Sequence, residues 1–155
     1  VVFSATAFHW IDPKVGYPKA HRLLRASGVI AVFWQLASIL EPETEMLCAI
    51  REIARTYAPE FDDYISRAEG EAMHLRRMEQ MQTDGCFQNP VTKVYRWNDA
   101  YPTGRYLRLM NSYSDFHSID GETRKIILEK TEAYINQNGG IVTIPQEVRL
   151  YMARK

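Results

Sequence analysis

The chain has 155 residues, 46% hydrophobic and 25% charged, with 19 Lys and Arg balancing 19 Asp and Glu. That is one domain's worth of ordinary globular composition, and its zero net charge gives no field to gather nucleic acid or an anionic membrane surface. Cys48 and Cys86 lack metal or CxxC spacing, no apolar run nears the roughly 20 residues of a membrane span, and nothing at the start reads as a secretory signal; the expectation is a cytoplasmic protein with inert buried thiols and no metal site.

Val1 to Ala7 reads as a strand, an apolar run opening into small residues. Tyr17, Ala20, Leu23 and Leu24 make a helical stripe, with Pro18 suited to a first helical position and Gly28 to the stop. VIAVFW at Val29 to Trp34 has the length of a strand buried on both faces, so strand, helix, strand predicts a right-handed βαβ unit in a parallel sheet. Glu41-Pro42 opens a helix whose Met46, Leu47, Ile50, Ile53, Ala54 and Tyr57 share one face, its Glu residues early and Arg51 and Arg55 late, as the helix dipole favours. Residues 59–70 read as an acidic loop. About Glu71 to Gln82 is a second helix, stopped at Asp84-Gly85, with Met73, Met78 and Met81 as packing residues and Arg76-Arg77 as a solvated face, anion binding being the alternative.

Val91 to Trp97 alternates like a half-exposed strand. Thr103 can cap a short helix through Tyr113, and Asp120 a longer one ending at Gly139-Gly140. In Ile141 to Ala153, Val148, Leu150 and Met152 alternate with polar neighbours, and Pro145 interrupts the strand or places that end at an edge or bulge. No internal repeat or domain linker is visible.

Ligands of open α/β sheets gather at the carboxyl ends of parallel strands. Two such ends are present, Ala5 to Trp10 and Phe33-Trp34-Gln35. Small Ala5 and Ala7 allow backbone to approach a ligand, and Phe8 and Trp10 can wall an apolar or cationic group. His9 alone reads as a packed, hydrogen-bonded residue. Ser112 or Ser114 with Asp115 and His117 lack the strand–turn–helix context of a hydrolase nucleophile.

VVFSATAFHWIDPKVGYPKAHRLLRASGVIAVFWQ resembles the second half of class I S-adenosylmethionine-dependent methyltransferases, in the small-molecule, methyltransferase type 11-like subgroup. Its pattern there is an apolar strand, A-x-HW, a helix ending R-x-L-x-P-G-G and a strand ending F-W. The likeness continues through GCFQNPVTKVYRW, YLRLMNSYSDFHSI and NGGIVTIPQEVRLYMARK and so covers essentially the whole chain, although Ala26-Ser27-Gly28 stands where P-G-G is usual. The resemblance implies an α/β fold in which this chain supplies strands four to seven of a sheet ordered 3-2-1-4-5-7-6, the last antiparallel, as one partial methyltransferase domain over residues 1–155. Residues 41–82 would form a helical lid insertion.

It implies S-adenosylmethionine as cofactor, with Ser4, Ala5, Ala7, Phe8 and His9 bordering it, and Trp10, Phe33, Trp34 and Tyr113 facing an unidentified small-molecule acceptor. The glycine-rich loop and ribose-binding acid of such enzymes have no counterpart here, so the expectation is the C-terminal portion of an enzyme, inactive alone. A strand that is central in the intact sheet would then be an edge, which predicts a homo-oligomer pairing through Val1 to Ala7. The alternative is a non-catalytic dimerisation or interaction module built on the same half-fold.

Overall fold

The computed structural model describes residues 1–36, 44–61 and 67–155. The chain forms two compact units, one of Val1–Ile39, Ile65–Trp97 and Gln146–Lys155, the other of Leu40–Tyr64 and Asn98–Pro145. The 41–82 segment, expected as one insertion, contributes a helix to each.

Four strands, β1 (Val2–Ala5), β2 (Val29–Leu36), β3 (Val91–Pro102) and β4 (Ile141–Arg154), make one sheet in the order β1-β2-β4-β3. β1 runs parallel to β2, with Val2 opposite Ile30 and Ala5 opposite Phe33. β4 runs antiparallel to β2, from Val29 opposite Arg154 to Leu36 opposite Glu147. This is the order expected for strands four, five, seven and six, and the last strand is antiparallel to β2 as expected. Pro145 lies just beyond the β2-paired stretch, so the ladder to β2 does not use its missing N–H, and β4 runs through it unbroken.

The crossover helix α1 spans Pro13–Leu23 and starts earlier than expected: Asp12 caps it by accepting from the Lys14 N–H, and Pro13 takes the first turn. Pro18 is therefore an interior residue. Gly28 is not the stop either: α1 ends at Leu23 with Leu24 as an extended C-cap, and the left-handed residue of the turn that follows is Ser27, at φ 61°. Gly28 is needed for a close approach, because a Cβ there would meet the Arg25 carbonyl oxygen at 2.8 Å.

In the first unit α3 (Arg67–Met81) packs on α1, and together with the sheet they enclose Phe8, Tyr17, Ile30, Val32, Trp34, Met81, Phe87 and Tyr151. α3 begins within the stretch expected as a loop. Met81 is core and Met78 packs against it, as expected. Cys48 is exposed and Cys86 half-buried, so neither is the fully buried thiol expected.

In the second unit α2 (Glu45–Tyr57) and α4 (Thr103–Met110) pack on α5 (Gly121–Gln137). Thr44 caps α2 through the Leu47 N–H; residues 41–43, where that helix was expected to open, lie outside the described residues. Asp120 caps α5 through the Thr123 N–H, and Gly139 and Gly140 leave it at φ 97° and 72°, both as expected. Thr103 is not a cap: Pro102 holds that position, and the Thr103 hydroxyl donates to Asn136 Oδ1 at 2.7 Å. α4 stops at Met110, short of Tyr113.

Candidate functional site

The carboxyl ends of β1 and β2 adjoin in the first unit. Pairing extends one step past β1, where the Thr6 N–H donates to the Phe33 carbonyl at 2.8 Å; Thr6 then turns the chain with φ 46°. A short 3-10 turn, Phe8–Trp10, follows. Its Phe8 ring is buried against Tyr17, with centroids 4.7 Å apart, so it packs the core beneath the turn. Ser4 is half-buried, Ala5 and Ala7 are exposed, and Trp10 stands 83% exposed. Phe33, on the opposite face of the sheet from Trp34, is half-buried.

His9 and Trp34 join the two strand ends. The Trp34 Nε1–H donates to His9 Nδ1 at 3.0 Å, which occupies that lone pair and puts the proton of the neutral imidazole on Nε2. His9 is thus hydrogen-bonded as expected from sequence, but exposed rather than packed. Tyr113 follows α4 in the second unit.

Trp34 leads to residues that sequence reasoning did not single out. Because paired residues of adjacent strands share a face, Trp34 opposite Arg149, Val32 opposite Tyr151 and Leu36 opposite Glu147 put Glu147, Arg149 and Tyr151 on the inner face. Apolar alternation in β4 suggested the other parity; Val148, Leu150 and Met152 are only half-buried, on the face that carries Phe3 and Phe33. Arg149, 5% exposed, donates to Glu147 and, at 2.6 Å, to Glu71 of α3, while Arg96 of β3 donates to Glu147 at 2.8 Å. The Glu71 carboxylate first, then that of Glu147, raises the Arg149 pKa against the opposing effect of burial.

His74 of α3 shares a 3.2 Å hydrogen bond with the Tyr151 hydroxyl. Burial, then the Arg149 charge, lowers the His74 pKa. Arg77, expected on a solvated face, instead lays its guanidinium over the Trp34 ring, Cζ 4.1 Å from the centroid, and Tyr151 meets the same ring edge-on at 5.6 Å. The signal that could have found this cluster is helical spacing: Glu71, His74 and Arg77 recur every three residues and so line one side of α3. In the second unit, His117 Nδ1 lies 2.6 Å from Arg124 Nη1 and Asp115 accepts from Ser114, an exposed arrangement that assembles no nucleophile and base.

Among the described residues no helix is long and apolar enough to cross a membrane. No family model and no curated protein matches the sequence. Solved structures do. A protein of Anaeromyxobacter dehalogenans assigned as a type II methyltransferase is matched at 13% identity over 98% of this chain and 62% of that one, with a TM-score of 0.51. A Bacillus halodurans protein assigned as a methyltransferase is matched at 14% identity over 99% and 63%, with a TM-score of 0.45. The Haemonchus contortus phosphoethanolamine N-methyltransferase 2, solved with phosphomonomethylethanolamine and S-adenosylhomocysteine, is matched at 12% identity over 99% and 32%, with a TM-score of 0.39. The chain spans less than two thirds of the length of each, and its fold, α/β with a mixed four-strand sheet, matches part of the Anaeromyxobacter chain.

Proposed function

We propose that these 155 residues form the acceptor-side part of an S-adenosylmethionine-dependent methyltransferase acting on a small molecule, with the groups that grip the cofactor's nucleotide supplied from outside them. The observation that carries this reading is the sheet order β1-β2-β4-β3, with β1 and β2 parallel, β4 antiparallel, and His9 and Trp34 joining the adjoining carboxyl ends. The likeness to the Anaeromyxobacter structure supports it at the level of fold.

The residues present fit one border of the cofactor. Exposed Ala5 and Ala7 leave the backbone open to close approach beside half-buried Ser4, and His9 presents Nε2 outward from its bond to Trp34. They do not fit the nucleotide: the sequence contains no GxG, and neither β1 nor β2 ends in an acid that could take the ribose hydroxyls. When bound, the cofactor would supply the activated methyl group; this chain would orient the acceptor and exclude water, through Trp10 and Trp34, while Phe33 lies on the other face of the sheet.

Calorimetric titration with S-adenosylhomocysteine tests the division. The 155-residue chain should bind weakly or not at all, and the same chain joined to its upstream coding sequence should bind in the micromolar range. No binding by the extended protein defeats the methyltransferase reading, and tight binding by the 155 residues alone defeats the division of labour.

A second reading is favoured by β1. Among the described residues it pairs only with β2, and its Phe3 is 71% exposed, so its other edge has the backbone groups and apolar surface to pair with a second copy. A monodisperse monomer by light scattering would remove this homo-oligomer, and with it the non-catalytic dimerisation module.

A further inference from the structure

We propose that Arg77 is the anchor of an oxyanion site that takes a carboxylate or phosphate group of a small-molecule ligand at the carboxyl ends of β1 and β2. Only the identification of that ligand with the methyl acceptor rests on the reading above.

Among the described residues the charges of the cluster do not balance internally. Three guanidinium groups, Arg77, Arg96 and Arg149, meet two carboxylates, Glu71 and Glu147. Glu147 is taken by Arg149 and Arg96, and Glu71 is held by Arg149 at 2.6 Å. Arg77 is left with a ring face and the Tyr151 hydroxyl, and with no carboxylate among the described residues. Its Nη1 is buried and has no hydrogen-bond partner among the described residues. A guanidinium with one buried N–H bond unmade and no carboxylate against it among the described residues is suited to receive an anion.

The surroundings fix the orientation that such recognition requires. Trp34 stacks on the guanidinium, and its own N–H is tied to His9, so the indole is held in place. Tyr151 holds Arg77 from one side and is itself bonded to His74. An arginine fork beside a phenol suits the paired oxygens of a carboxylate or phosphate, and the half-exposed Arg77 side chain leaves a path to it. Lysine at this position would keep the charge and lose the planar match.

The test is titration of the 155-residue chain with inorganic phosphate and, separately, with acetate, at constant ionic strength set with chloride, read by tryptophan fluorescence and calorimetry. A saturable response to at least one anion is expected; response to phosphate alone or to acetate alone supports the site and says which group it takes. Arg77→Gln should weaken binding at least tenfold while keeping a native circular dichroism spectrum, Arg77→Lys severalfold, and Arg76→Gln, on the exposed neighbour, not at all. A response to both anions no different from chloride overturns the site, as does undiminished binding by folded Arg77→Gln. If that variant fails to fold, wild-type affinity in Arg77→Lys overturns it instead. No cofactor enters this titration, so its failure leaves the methyltransferase reading standing, and failure of the S-adenosylhomocysteine experiment leaves the anion site standing.

Discussion

The first unit buries Glu147, Arg149 and Tyr151 beside Trp34 on the inner face of its sheet, whereas the second packs α2 and α5 together and buries Ile50, Ala54, Ile127 and Ile135. Aliphatic burial is favourable by itself, about 25 cal/mol per Å2 removed from water. Burying a charge is not, because the lost hydration of each ion is recovered only through close pairing and full hydrogen bonding. The contrast teaches that the second unit's interior is a packing solution, while the first unit carries polar groups that stability alone does not ask for.

The largest effect should come from breaking the ionic interior. Glu147→Ala leaves Arg149 buried with only Glu71, and by urea denaturation it should cost about 3 to 5 kcal/mol. A cost below 1 kcal/mol would mean that water or rearrangement satisfies Arg149 and that the contrast between the interiors is shallow. Ile127→Ala in the second unit opens a cavity at a fully buried site, with an expected loss of about 3 kcal/mol. Its effect should stay with α5 in amide hydrogen exchange and leave β2 protected.

Thr131 sharpens the comparison in the opposite direction. Its hydroxyl is buried with no partner among the described residues, in the otherwise aliphatic face of α5, so Thr131→Val, nearly the same shape, should raise stability by about 1 kcal/mol in the same denaturation assay. No gain would mean that the hydroxyl finds a partner in solution.

Acidification should separate the units by the smallest of these effects. His74 has a pKa lowered from 6.5, so its folded environment resists the imidazolium and the unfolded chain binds the proton more readily. Its contribution is therefore complete above about pH 6.5 and falls as the pH drops through that value. Asp120 has a pKa held below 3.8, first by hydrogen bonding from Thr123, so its contribution persists through that range and declines only as the pH falls below 3.8. Hydrogen exchange should show β2 losing protection between about pH 7 and pH 5 while α5 holds to about pH 4, and His74→Gln should flatten the first of these transitions. Equal loss in both units, or no change with the variant, counts against the assignment.

Local signals carried much of the fold. VIAVFW has the length and apolarity of a strand, although only its Ile30, Val32 and Trp34 face is buried where both were expected to be, Asp120 and Gly139-Gly140 bracket a helix by hydrogen bonding and backbone freedom, and the ordered likeness of segments implied the strand order that the sheet adopts. Boundaries drifted where two residues competed for one role, as Pro13 and Pro18 did for the start of α1. Of the site, His9 and Trp34 were legible because they sit at strand ends, and the structure ties them together. The solvated-face reading of Arg77 failed because a charged residue in an exposed-looking pair gives no hint that its partner is an indole from a strand more than 40 residues earlier.

What the amino-acid sequence determined by itself was periodicity: which stretches alternate, which follow a helical turn, and where caps and glycines end them. Alternation defines two faces of β4 but not which is inside, since Val148, Leu150 and Met152 are apolar and Glu147 and Arg149 charged, and local preference favours burying the first set. Only tertiary structure reversed that choice, by placing Glu71 of α3 against Arg149 and Arg96 of β3 against Glu147, so that charges too costly to bury singly are buried as a paired group.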